Sequence, residues 1–159
     1  MKKSDSYYME KAIELSSKGM NSNAGGPFGC VIVDKNGKIV GQGYNRVTST
    51  NDPTAHAEVV AIRDACKNLK SFQLDDCTIY TSCEPCPMCL GAIYWARPKK
   101  IFYGCSREDA ANIGFDDDFI YDEIGVDVKD RQIKTKQLGQ KKAIKVFQDW
   151  DSKNNKTEY

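Results

Sequence analysis

Two short stretches hold the residues able to do metal-assisted proton chemistry: Pro53-Thr54-Ala55-His56-Ala57-Glu58 and Cys83-Glu84-Pro85-Cys86-Pro87-Met88-Cys89. The chain has 1 histidine, and it lies in the first stretch. A neutral imidazole and two thiolates offer Zn2+ three of its four tetrahedral ligands, leaving the fourth position to water. An open position marks a catalytic site, because structural zinc is normally closed by four protein ligands. Glu58, two residues beyond His56, is then placed to move protons to and from that water.

The elements that must position these groups follow from their spacing. Residues i and i+2 lie about 200° apart around an α-helix, so His56 and Glu58 cannot share a side face and converge only near a helix end. Pro53 and Thr54 predict a helix start just before them. Pro85 and Pro87 bar helix through the second stretch, yet Pro87 suits a first helical position. Cys86 then falls at the cap and Cys89 in the first turn. The positive end of a helix dipole favours thiolates, so two helix N-termini aimed at one ion make a coherent zinc site.

Other readings of the cysteines compete. Cys83 and Cys86 also read as CxxC, which suits redox dithiol chemistry, and Cys83/Cys86/Cys89 resembles part of an iron–sulfur run. That run lacks its fourth cysteine at the usual spacing, the next being Cys105. Only zinc catalysis uses His56 and Glu58 as well.

The combination HxE with PCxxC is the signature of zinc-dependent nucleobase deaminases. With the runs Asn51 to Glu58, Tyr80 to Cys89, Gly114-Phe115-Asp116-Asp117 and the pair Glu158-Tyr159, the chain resembles the bacterial guanine deaminases of the cytidine-deaminase superfamily over nearly its whole length. The resemblance implies hydrolysis of guanine to xanthine and ammonia, one Zn2+ per subunit on His56, Cys86 and Cys89, and Glu58 as both base and acid. It also implies that Phe28 lines the base pocket, that Asn45 contacts the substrate, and that the backbone around Ala57 and Cys86 orients it. Asp117 would accept from the N–H edge of guanine and assist proton transfer. Tyr159 would close over the substrate, on a C-terminal segment of about residues 150 to 159 exchanged between the subunits of a homodimer.

Several of these positions are ambiguous on residue type alone. Phe28 after Gly25-Gly26-Pro27 is a core aromatic behind a turn or a wall for a flat ring; Asn45 is a turn residue or a base-edge contact; Asp116, Asp117 and Asp118 form a solvated loop or cap, or a recognition carboxylate.

The flanking chain supplies a frame. Residues 5 to 19 predict an amphipathic helix stopped by Gly19; residues 28 to 33 and 38 to 43 predict a hairpin turned at Asn36-Gly37. Residues 55 to 69 predict a largely buried helix, 77 to 82 a strand, 87 to 97 an apolar helix, 100 to 104 a strand and 107 to 112 a short helix. Cys30, Cys66 and Cys77 read as small core residues. This order predicts an α/β fold, a mixed sheet with helices on both faces. The resemblance sharpens it to a three-layer α/β/α sandwich with about five strands. The apolar surface of helix 87 to 97 exceeds what one sheet face needs, which points Tyr94 and Trp95 at a second subunit.

The 159 residues read as a single deaminase domain, and the absence of a signal peptide or long apolar segment, with 7 cysteines, predicts a reducing cytoplasm. A formal charge of +1 gives no global pull toward membrane or nucleic acid; the partner that the resemblance implies is a small purine base. The basic residues after Lys129 keep a tRNA adenosine deaminase in view, beside a cytosine or nucleoside deaminase. A zinc-stabilised RNA-binding module without turnover is the rival of another class; it would need a fourth ligand, Cys83 for instance, and would make Glu58 dispensable.

Overall fold

The computed structural model describes residues 3–159, which divide into two compact units, one running to Asp117 and the other from Asp118 to Tyr159. In the first, Ser4 caps helix α1 (Asp5–Asn21) by accepting from the backbone N–H of Tyr7. The expected stop at Gly19 is absent. That glycine lets the helix lie against Tyr44, whose Cδ2 a Cβ there would meet at 2.7 Å.

Strands β1 (Gly29–Val33) and β2 (Ile39–Tyr44) form the expected antiparallel hairpin. Asp34 Oδ1 accepts from the N–H groups of Asn36 and Lys38, both at 2.9 Å, and Gly37 takes the positive φ of 83° that the tight turn requires. A four-residue helix α2 (Val47–Thr50), which the sequence did not signal, leads to α3 (Ala57–Leu69). Then come β3 (Thr78–Cys83), α4 (Pro87–Ala96), β4 (Lys100–Cys105) and α5 (Arg107–Ala111).

The sheet order is β2-β1-β3-β4, antiparallel at the first two junctions and parallel at the third. It is mixed, as predicted, with four strands where the resemblance suggested about five. Alternation along β1 and β3 creates two cores. Val31, Val33 and Tyr80 pack with Tyr8 and Ala12 of α1 on one face; Cys30, Ile32 and Ile79 pack with Ala57, Ala61 and Ala65 of α3 and Ile93 and Ala96 of α4 on the other. This is the three-layer α/β/α sandwich. Helix α3 is less buried than expected: Ala57, Glu58, Ala61 and Ala65 make a buried stripe, while Leu69 is exposed.

The second unit holds α6 (Asp118–Gly125), a 3-10 turn at Val128–Asp130 and α7 (Gln140–Asp151). None of its helices buries a residue, and Phe119, Ile133, Leu138, Val146 and Phe147 are exposed. Among the described residues no helix is long and apolar enough to cross a membrane.

Candidate active site

The N-termini of α3 and α4 meet. His56 is the N-cap of α3 and Cys86 the N-cap of α4, with Pro87 at the first helical position and Cys89 at the third. Cys86 Sγ accepts from the backbone N–H of Cys89 at 3.5 Å, so a side chain that normally needs Ser or Asp is here a thiol in the field of a helix end. His56 Nδ1 lies 3.5 Å from both Cys86 Sγ and Cys89 Sγ. The three ligand atoms fall within 4.8 Å of one another.

These separations fit a metal. Zn–N and Zn–S bonds of about 2.0 and 2.3 Å at tetrahedral angles put the nitrogen about 3.5 Å from each sulfur. The donor set fits as well. His56 is drawn up from its ordinary pKa chiefly by its hydrogen bond to Cys86. Cys86 is lowered to about 4, chiefly by the hydrogen bond from Cys89 and also by His56, while Cys89 is pushed up by that same bond and by burial. A tight thiol pair that holds one proton between them is poised to lose it to a cation.

Glu58 sits at the second position of α3, 5% exposed, and Thr81 Oγ1 of β3 donates to its Oε1 at 3.0 Å. Burial raises its pKa, against lowering hydrogen bonds from its own backbone, Thr81 and Cys89.

A cavity of about 450 Å3 opens onto this cluster. Phe28, Asn45, His56, Glu58, Cys86 and Asp117 all line it. Phe28 is braced edge-on by Phe115, with centroids 4.9 Å apart. Asn45 Oδ1 accepts from the N–H groups of Gly26 (3.3 Å) and Val47 (3.1 Å), which commits its acceptor to backbone and leaves its side-chain NH2 as the group for a ligand. Gly25 permits this: a Cβ there would collide with Asn45 Oδ1 and with the Asn45 carbonyl oxygen, the latter at 2.6 Å.

Ala57 is wholly buried and is not among the residues lining the cavity. Tyr159 belongs to the second unit. The structure adds contacts that the sequence did not signal, Thr81 on Glu58, Phe115 on Phe28 and Arg107 in the cavity wall, and it places Cys83, weighed above as a redox partner or fourth ligand, in that wall beside Glu84. Thr81 precedes Cys83 by two residues in a strand and shares its face, but nothing in that spacing pointed to Glu58.

Residues 2–105 match the family described as the cytidine and deoxycytidylate deaminase zinc-binding region. The chain is 55% identical over 152 residues to guanine deaminase of Bacillus subtilis (strain 168), covering 96% of this chain and 97% of that one. The X-ray structure of guanine deaminase from Bacillus subtilis superposes with a TM-score of 0.95 at 53% identity over 99% of both chains. By contrast the tRNA-specific adenosine deaminase of Buchnera aphidicola subsp. Schizaphis graminum is 41% identical over 105 residues, 66% of this chain and 68% of that one.

Proposed function

The chain belongs to the family of the cytidine and deoxycytidylate deaminase zinc-binding region, and from that premise we infer that it hydrolyses guanine to xanthine and ammonia. The observation that carries the substrate is the likeness to guanine deaminase over 96% of the chain, against 66% for the tRNA enzyme.

His56, Cys86 and Cys89 would hold one Zn2+, which when bound supplies a Lewis acid that acidifies a coordinated water. Glu58 takes the proton of the attacking water and returns protons to the ring nitrogen and the departing amine. Its burial beside the ligands and its hydrogen bond from Thr81, which fixes the rotamer, support that role. Phe28, held edge-on by Phe115, covers one face of the purine. The NH2 of Asn45 donates to an acceptor on the base, and Asp117 accepts from the N–H donors at N1 and the exocyclic amine, a pattern that adenine and cytosine do not offer. The backbone at Ala57, on the first turn of α3, orients the ring.

The working form is a homodimer of single-domain subunits in which a C-terminal segment of about residues 150 to 159 crosses over and Tyr159 closes the partner's site. Supporting this, α4 exposes Tyr94, and a Cβ at Gly91 on the same helix would meet nothing within 4 Å. The apolar residues exposed on α7 are of the kind that a second copy would cover. All 7 cysteines are free, which suits the cytoplasm.

The test is conversion of guanine to xanthine by purified, zinc-loaded protein, followed by chromatography. Turnover that disappears on chelation and returns with Zn2+ supports the reading; no xanthine from the zinc-loaded protein overturns it.

A further inference from the structure

Cys83 and Cys105, neither of them in the metal cluster, are register partners at the C-terminal ends of the parallel strands β3 and β4. Partners in such a pair project to the same face of the sheet. Neighbouring strands lie about 4.8 Å apart, inside the window of about 4.4–6.8 Å between Cα atoms that a disulfide spans. The two strand ends are already tied: Glu84 N–H donates to the Cys105 carbonyl at 2.8 Å, and the Cys83 thiol donates to the Ser106 carbonyl at 3.7 Å. Their surroundings differ. Cys83 is buried and lines the cavity, and burial with the nearby Cys105 pushes its thiol up to about 12; Cys105 is exposed.

We propose that Cys83 and Cys105 are a peroxide-sensitive dithiol that closes reversibly into a disulfide in the wall of the active-site cavity. The exposed Cys105 reacts first. Its thiolate sulfur attacks one oxygen of hydrogen peroxide, the O–O bond breaks, and the hydroxide released takes up the thiol proton as water, leaving a sulfenic acid. The Cys83 sulfur then attacks the sulfenic sulfur, the S–O bond breaks, and the departing hydroxide leaves as water with the Cys83 proton. Two thiols lose two electrons, and one peroxide gains them and becomes two waters.

The bond replaces the contact between Cys83 and Ser106. Ser106 is the N-cap of α5, and Arg107 and Ala110 of that helix line the cavity. Closure therefore moves a substrate wall while leaving His56, Cys86 and Cys89 their ion. This consequence for activity rests on the deaminase reading; the cross-link does not.

The experiment treats zinc-loaded full-length protein and its Cys105→Ser variant with hydrogen peroxide. Peptide masses without reduction, zinc content, and guanine kinetics before and after dithiothreitol are the readouts. Expected are a Cys83–Cys105 peptide pair two hydrogens lighter than the reduced pair, retained zinc, and a KM raised roughly tenfold, within what an ångström-scale displacement costs. The reductant restores the KM, and the variant, normal beforehand, is unaffected. A free Cys83 beside a sulfinic Cys105, a Cys86–Cys89 bond with zinc loss, unchanged kinetics despite the cross-link, or equal sensitivity of the variant would each overturn the proposal. A cross-link in a protein that never turned over guanine would overturn the deaminase reading and leave the dithiol standing.

Discussion

Glu58 is set between two opposed influences, and the balance is readable in the rate. Burial raises its pKa and the Thr81 hydrogen bond lowers it by stabilising the carboxylate. Thr81→Val removes one of the lowering hydrogen bonds, leaving those from the Glu58 backbone and Cys89, so the pKa rises further. Because the resting enzyme needs the carboxylate as base, the acid limb of kcat/KM moves to higher pH; an unmoved limb would contradict the link. Glu58→Gln should fold and bind zinc but lose about 10²- to 10⁴-fold in kcat, the usual worth of a positioned acid–base group; near-normal kinetics would remove Glu58 from the proton path. Cys86→Ser and Cys89→Ser should lose zinc by metal analysis while Cys83→Ser keeps it, and equal loss at Cys83 would undo the ligand set. His56, Cys86, Cys89 and Glu58 were legible because metal and proton chemistry admit so few residue types at such spacing. Thr81 and Phe115 were not. A threonine in a strand and a phenylalanine in a loop have ordinary uses, and only the fold brings them to Glu58 and Phe28.

At the scale of elements, the site is two helix N-termini held at a fixed distance by the sheet. Gly43 of β2 sets part of that distance: a Cβ there would collide with the Ala57 carbonyl and would stand 2.7 Å from the Ala61 N, both on α3. Gly43→Val should push the start of α3, with His56 and Glu58, off the sheet, at roughly 1–3 kcal/mol of stability and with weakened zinc binding. Denaturant unfolding and metal titration check both, and wild-type values in the two would show that the contact positions nothing. The start of α4 was readable because Pro87 and the Cys86 cap punctuate it, whereas α3 begins at Ala57, two residues later than expected, with His56 at its N-cap and no side-chain cap bond. Helix α2 was not readable, since Val47-Thr48-Ser49-Thr50 are poor helix formers held by contacts distant in sequence, such as Ser49 N–H to the Ala24 carbonyl at 3.2 Å. Gly19 misled for a related reason: its missing side chain serves packing against Tyr44, which no local signal distinguishes from a helix stop.

For the whole molecule, the first unit carries the His56, Cys86 and Cys89 cluster and the cavity, and the second carries helices with exposed apolar residues. If Tyr159 serves as a lid, deleting Thr157 to Tyr159 should cut kcat/KM at least about tenfold with little change in melting temperature, because Thr157, Glu158 and Tyr159 are exposed. Full activity after truncation would remove the lid. The mixed sheet with helices on both faces was legible from the order of the elements along the chain, whereas the three layers and the count of about five strands leaned on the resemblance; the sheet has four. The substrate is decided by ammonia release from zinc-loaded protein offered guanine, adenine, cytosine, cytidine and adenosine-containing tRNA anticodon stem-loops in parallel. Guanine should release ammonia strongly and the others little. Release from the stem-loops with none from guanine would contradict that expectation, keeping the metal cluster but giving the cavity and the basic segment after Lys129 to RNA.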